Sequence, residues 1–129
     1  MYLLPRLLLG MGLLLTLTIP VHATTFTSGP QTVELVELYT SEGCSSCPPA
    51  DRWFSSLKDD PGLWKAFVPI AFHVTYWDYL GWKDLLAQAN FAERQYTYAD
   101  FWQSRSVYTP GIVLNGEEWR AWRASSEIP

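Results

Sequence analysis

Apolar residues in this chain fall into blocks whose spacing changes along its length, and the changes outline an alternating α/β domain. Val33 to Tyr39 is rich in apolar and β-branched residues at strand length and predicts a buried strand. Glu34 and Glu37 interrupt it three residues apart, so they point to opposite faces and one of them faces inward. Trp53, Phe54 and Leu57 then follow at helical spacing. Pro48 and Pro49 set the start of that helix, with Ser46 as its N-cap and Asp51 placed favourably in its first turn. Asp59-Asp60-Pro61-Gly62 ends it.

Phe67 to Tyr76 predicts a second strand, apolar enough to be buried on both faces as a parallel strand would be, with Pro69 marking its beginning. From Trp82 to Gln103 the pattern is helical, and Asn90 divides it into two helices. Tyr108 to Arg123 reads as a hairpin around Asn115-Gly116. Trp119 and Trp122 are three apart, which puts them on opposite sheet faces and leaves at least one exposed.

The N-terminal block has a different character. A basic start at Arg6, an apolar run from Leu7 to Ile19 and a small residue, Ala23, form the pattern of a secretory signal peptide over residues 1–23. The run is shorter than the roughly 20 residues that span a bilayer. Residues 24–129 then form one domain, exported to the periplasm or secreted. The formal net charge is −4, and loss of Arg6 with the leader makes the remainder more acidic. With no basic cluster, a nucleic-acid partner is excluded.

Cys44 and Cys47, the only cysteines, lie between the first strand and the first helix in Cys-x-x-Cys spacing. Exported, they form a disulfide unless something reduces them. Three uses remain open. A redox site fits the strand-to-helix turn, where a helix N-terminus lowers a thiol pKa from about 8.5 toward 7. A structural bridge gains little, since closing so short a loop contributes only about 2 kcal/mol. A Cu(I) site would need His73 as third ligand, although a mid-strand histidine is more often a packed residue. The Tyr76 to Trp82 aromatics serve chiefly as core, and Glu42 as a solvated turn charge.

Leu38 to Asp51, Phe72 to Asp84, Arg94-Gln95 and Val107 to Pro110 resemble the motifs of DUF1223, an exported bacterial family of thioredoxin-like proteins named as a domain of unknown function. The resemblance covers nearly all of residues 24–129. It implies a thioredoxin-like α/β fold, a central mixed sheet flanked by helices. The site it implies is a thiol–disulfide oxidoreductase centre without a bound cofactor, acting on a protein or small-molecule disulfide. Carried over, Cys44 is the exposed nucleophile and Cys47 the resolving thiol. Glu37 is the buried acid that moves protons beneath the disulfide. Thr109 is a substrate contact and Pro110 a cis-proline against the disulfide. Arg94 and Asp84 read as helix-surface charges, with a site role left open by the motif. Two departures stand out. Thr75 occupies a position usually held by Asp, and the sequence ends at Pro129, before the fold's last helix. That ending predicts an uncovered sheet face and self-association or a partner through it.

Overall fold

The computed structural model describes residues 23–129 except Ser28 and Ser126; the signal-peptide region thus lies almost wholly outside the described residues. Strand β1 (Glu34–Thr40) is followed by helix α1 (Pro48–Ser56), which tightens into a 3-10 turn over Leu57–Asp59. Strand β2 (Phe67–His73), helix α2 (Ala89–Phe101) and a hairpin of β3 (Gly111–Leu114) and β4 (Glu117–Glu118) complete the order. The sheet runs β2-β1-β3-β4, with β2 parallel and β3 antiparallel to β1. Two helices flank this mixed sheet, and the whole is a thioredoxin-like fold.

Alternation along β1 sorts the core into two layers. Val36 and Leu38 face α1 and pack with Ala50, Leu57, Phe67 and Ile112. Tyr39 turns to the opposite face and packs with Val74, Ala92 and Val113. With ladders on both sides, β1 is fully enclosed over its second half. The register fixes the site, because β1 and β2 end side by side at Thr40 and His73.

The structure corrects several sequence expectations. Strand β2 is an edge strand, and Ile70 and Ala71 are exposed, so it is not buried on both faces. Pro69 lies inside it, opposite Val36. An edge tolerates this, because only one side of the strand needs ladder donors. Residues 82–88 form loop and turns, leaving α2 as a single helix from Ala89. Leu85 and Leu86, which gave the helical spacing, are exposed there, Leu85 by 88%.

The hairpin forms as expected. Asn115 and Gly116 carry positive φ values of 51° and 87°, the left-handed pair a two-residue turn requires. Trp119 and Trp122, however, share one face. Strand β4 stops at Glu118, and a 3-10 turn at Ala121–Arg123 swings Trp122 round. Both rings pack on Trp53 of α1, at centroid distances of 5.6 and 5.9 Å. Together with Ile128 they pack, partly buried, against the α1 side of the core.

Candidate active site

Strand β1 delivers the chain to a tight loop at Ser41–Cys47, closed by Cys44 N–H donating to the Ser41 carbonyl (3.1 Å) and Cys47 N–H to the Cys44 carbonyl (3.2 Å). Cys44 and Cys47 are joined by a disulfide, with Cα atoms 5.4 Å apart. Cys47 itself is the N-cap of α1, displacing Ser46 from the expected position, and no side chain caps the helix. Pro48 and Pro49 occupy the first two helical positions. They lack N–H groups, so the amides that commonly face an anion at a helix start are missing there.

Both cysteines are buried. Cys44 retains 5% exposure and Cys47 none, so Cys44 is the more accessible of the two residues but not the exposed one anticipated. Thr109 and Pro110 come from just before β3 to lie on it. The bond between them is cis, and the Thr109 hydroxyl donates to Cys44 Sγ at 3.1 Å. Thr109 is only 7% exposed. Its Oγ1 also accepts the indole N–H of Trp77 at 2.7 Å. Ser46 Oγ donates to the Thr109 carbonyl at 3.4 Å and lies 3.6 Å from Cys44 Sγ. Ser46, Pro49, Thr109 and Pro110, with Trp122 and Arg123, line a groove of about 420 Å³ beside the disulfide.

A second cluster holds the loop that precedes the cysteines. Asp84, 1% exposed, accepts the Glu42 N–H (2.9 Å), the Leu86 N–H (2.8 Å) and His73 Nδ1 (2.6 Å). Burial pushes its carboxyl up, yet the bonds from Glu42, His73 and Leu86 outweigh that and hold it below the usual range. Asp84 is therefore a buried anchor and not the helix-surface charge expected. The loop over residues 82–88 exists because this carboxylate takes two backbone donors, an alternative to helix that Asp offers readily. Trp82 donates its indole N–H to the Glu42 carboxylate (3.0 Å), so Glu42 is tied at both ends.

Glu37 occupies a different place from the one its proposed proton-transfer role requires. It is fully buried, and its side chain lies on the α2 face of β1, with Tyr39, away from α1 and the residues that pack there. Arg94 grips both oxygens, Nε to Oε2 at 2.9 Å and Nη2 to Oε1 at 2.8 Å. Tyr39 and Tyr98 each donate a further bond at 2.8 Å. Burial alone would raise the Glu37 pKa, but these donors and the Arg94 charge bring it below the ordinary value. A carboxylate so held is a fixed anion, poorly suited to exchanging protons near neutral pH. Arg94 is thus the partner of a buried acid, its guanidinium stacked 5.4 Å from the Phe72 and Tyr98 rings.

His73 pairs with Asp84. Its Nδ1 is taken by Asp84, and among the described residues no three His, Cys, Asp or Glu side chains are grouped to hold an ion. Thr75 lies in the turn after β2, where its carbonyl accepts the Asp78 N–H. Trp77 and Asp84 are the neighbours of the cysteine loop that spacing could not find, since both lie in turns with no periodicity. The Phe72 to Asp84 motif was the available signal.

Residues 35–129 match the family described as Protein of unknown function (DUF1223). Among solved structures, the chain is similar to a protein from Agrobacterium tumefaciens determined by X-ray crystallography. The two share 42% identity at a TM-score of 0.59, over 67% of this chain. That alignment spans only 38% of the Agrobacterium chain. None of the curated proteins matches.

Proposed function

We propose that this chain, which belongs to the DUF1223 family, is an exported thiol–disulfide oxidoreductase whose redox centre is the Cys44–Cys47 pair. One observation carries the reading: a short-loop disulfide at the start of α1 lies directly against the cis Thr109–Pro110 segment, with the Thr109 hydroxyl on Cys44 Sγ. A bridge placed only for stability would gain more by joining distant segments. The leader pattern supports work outside the cytoplasm, where such a cysteine pair becomes oxidised.

In the reductive direction, the Cys44 thiolate attacks one sulfur of a substrate disulfide. A Cys44–substrate disulfide forms and the other substrate sulfur leaves as a thiolate. Cys47, deprotonated, then attacks Cys44 Sγ, closing the intramolecular disulfide and expelling the second substrate thiolate. Two electrons pass to the substrate, and the two protons reach its sulfurs through solvent. The oxidative direction is the same sequence reversed. Cys44 is the attacking sulfur because it retains access and borders the groove residue Thr109, while Cys47 is sealed beneath it. No cofactor is required, as the sulfurs carry the electrons. The substrate is a protein or small-molecule disulfide that enters the groove at Ser46, Thr109 and Pro110.

The test is to replace Cys47 with Ala and search for species held on Cys44 as mixed disulfides, alongside the reduction potential of the unaltered pair. Trapped species and a potential above about −300 mV are expected. A lower potential with nothing trapped would make the bridge structural.

A further inference from the structure

A helix start can stabilise a thiolate, but here the local amides are largely unavailable. Pro48 and Pro49 have none, Cys47 N–H is given to the Cys44 carbonyl, and Asp51 N–H to the Cys47 carbonyl. Asp51 in the first turn further opposes negative charge on the sulfur. Besides the Ser46 hydroxyl at 3.6 Å, the nearest donor to the Cys44 sulfur lies on its opposite side, which carries Thr109 at 3.1 Å.

The direction of the hydrogen bonds at Thr109 is fixed by chemistry. An indole nitrogen donates and cannot accept, so Oγ1 receives the Trp77 hydrogen at 2.7 Å. The hydroxyl then has one hydrogen of its own, and Cys44 Sγ lies 3.1 Å away. The neighbouring phenol of Tyr76 gives its own hydrogen to Gln95 Oε1 at 3.0 Å, which leaves its oxygen as a second acceptor facing Thr109, and an ionised Cys44 sulfur is the stronger acceptor of the two. We propose that Trp77 is a positioning residue for the redox step: its indole N–H aligns and polarises the Thr109 hydroxyl so that it donates to Cys44 sulfur, stabilising the thiolate when Cys44 attacks and when it leaves. The proposal rests on the thiol–disulfide reading and adds to it a donor chain reaching outside the Cys-x-x-Cys and Thr-Pro motifs.

Trp77 is built into this position. It ends the β2 extension, where Asp78 N–H donates to the Thr75 carbonyl and Leu80 N–H to the Trp77 carbonyl. Gly43 makes room for it, since a Cβ there would lie 3.3 Å from Trp77 Cβ. The other ionisable groups around the loop are committed elsewhere. Asp51 of α1 accepts from Thr40, Glu42 from Trp82, Asp84 binds His73, and Arg123 in the groove lies over the Trp122 ring at 4.8 Å. Bonds to an ionised sulfur are stronger than bonds to a neutral one, so the chain favours the reduced thiolate over the disulfide.

The experiment follows the pH midpoint of Cys44 alkylation by iodoacetamide in reduced protein, with Cys47 replaced by Ala. Thr109→Val should raise the midpoint by about one unit, the ten-fold effect expected on losing a bond to a charged group. Trp77→Phe, which keeps an aromatic ring and removes the N–H, should raise it by about half that. In a Thr109→Val background Trp77→Phe should do nothing more, and Thr109→Ser should restore the unaltered midpoint. Additive shifts, or an unmoved midpoint in Trp77→Phe, would overturn the relay. Where Trp77→Phe fails to fold, the indole proton resonance of the otherwise unaltered protein gives the answer. It should move with the same midpoint as alkylation, and a static resonance would overturn the proposal. Failure of the parent reading looks different: Cys44 would then alkylate at neutral pH no faster than a free cysteine.

Discussion

Replacing Arg94 with Met should destabilise the fold while leaving the chemistry of Cys44 unchanged. Glu37 has no exposure, and four of its hydrogen bonds come from Arg94 Nε, Arg94 Nη2, Tyr39 and Tyr98. Removing Arg94 takes two of these and leaves a buried carboxylate with two phenolic donors and no counter-charge. Stranding one member of a buried pair costs about 3–5 kcal/mol. The Arg94 side chain is 44% exposed, so solvent screening moves the expectation to the low end, about 3 kcal/mol. That is a large share of a small domain's typical stability of about 5–15 kcal/mol. With a urea slope of about 1–2 kcal/mol per molar, the unfolding midpoint should fall by about 2 M. The double replacement Glu37→Leu with Arg94→Met removes both charges together and should cost clearly less than the two single changes summed. A cost for Arg94→Met below about 1 kcal/mol, or single changes that add to within about 0.5 kcal/mol, would refute the buried-pair argument. One further variant decides what Glu37 is for. A shift of one unit in the Cys44 alkylation midpoint on Glu37→Gln, with the fold retained, would reinstate it as the proton-transferring acid.

Acid should weaken the fold through the same carboxylates. Glu37 and Asp84 both titrate below their ordinary range when folded. Their contribution is therefore complete above the unfolded values of about 4 and is lost as pH falls through the folded values, which thermal melts between pH 7 and 2 would show as a declining midpoint. A flat profile would count against both networks. Asp84→Ala should cost about 1–3 kcal/mol by orphaning the Glu42 and Leu86 amides, and amide exchange at Glu42 should accelerate; unchanged exchange would mean the clasp does not hold the loop. Gly116→Ala forces a Cβ at φ 87° and should lower stability by about 1 kcal/mol in denaturant melts. Trp53→Ala removes the ring on which Trp119 and Trp122 pack, with an expected loss of about 3 kcal/mol and a collapse of the near-ultraviolet aromatic signal.

Much of the architecture was legible in the chain because it rests on local patterns. The run from Val33 to Tyr39, the Pro48-Pro49 helix start and the Asn115-Gly116 turn each act within a few residues, and each appears where expected. The misreadings arose where a distant partner overrode the local pattern. Leu85 and Leu86 had helical spacing, but Asp84 captured the backbone for a turn against His73 and Glu42. Trp119 and Trp122 had strand spacing, but the strand ended between them.

The cysteine pair shows the same division at the site. Sequence alone determined its spacing, its place between strand and helix, and by resemblance the Thr109-Pro110 segment set against it. Alternation left open which of Glu34 and Glu37 faces inward, and only the resemblance named Glu37 as the buried acid, because alternation along a strand fixes a face without saying what lies across it. Only the tertiary structure placed Arg94 over that face and made Glu37 a locked anion. Only the tertiary structure also brought Trp77, 32 residues before Thr109, within 2.7 Å of it. Hydrogen-bond donors at a redox sulfur depend on distances of a few tenths of an ångström, and such distances are set by packed elements, not by order along the chain.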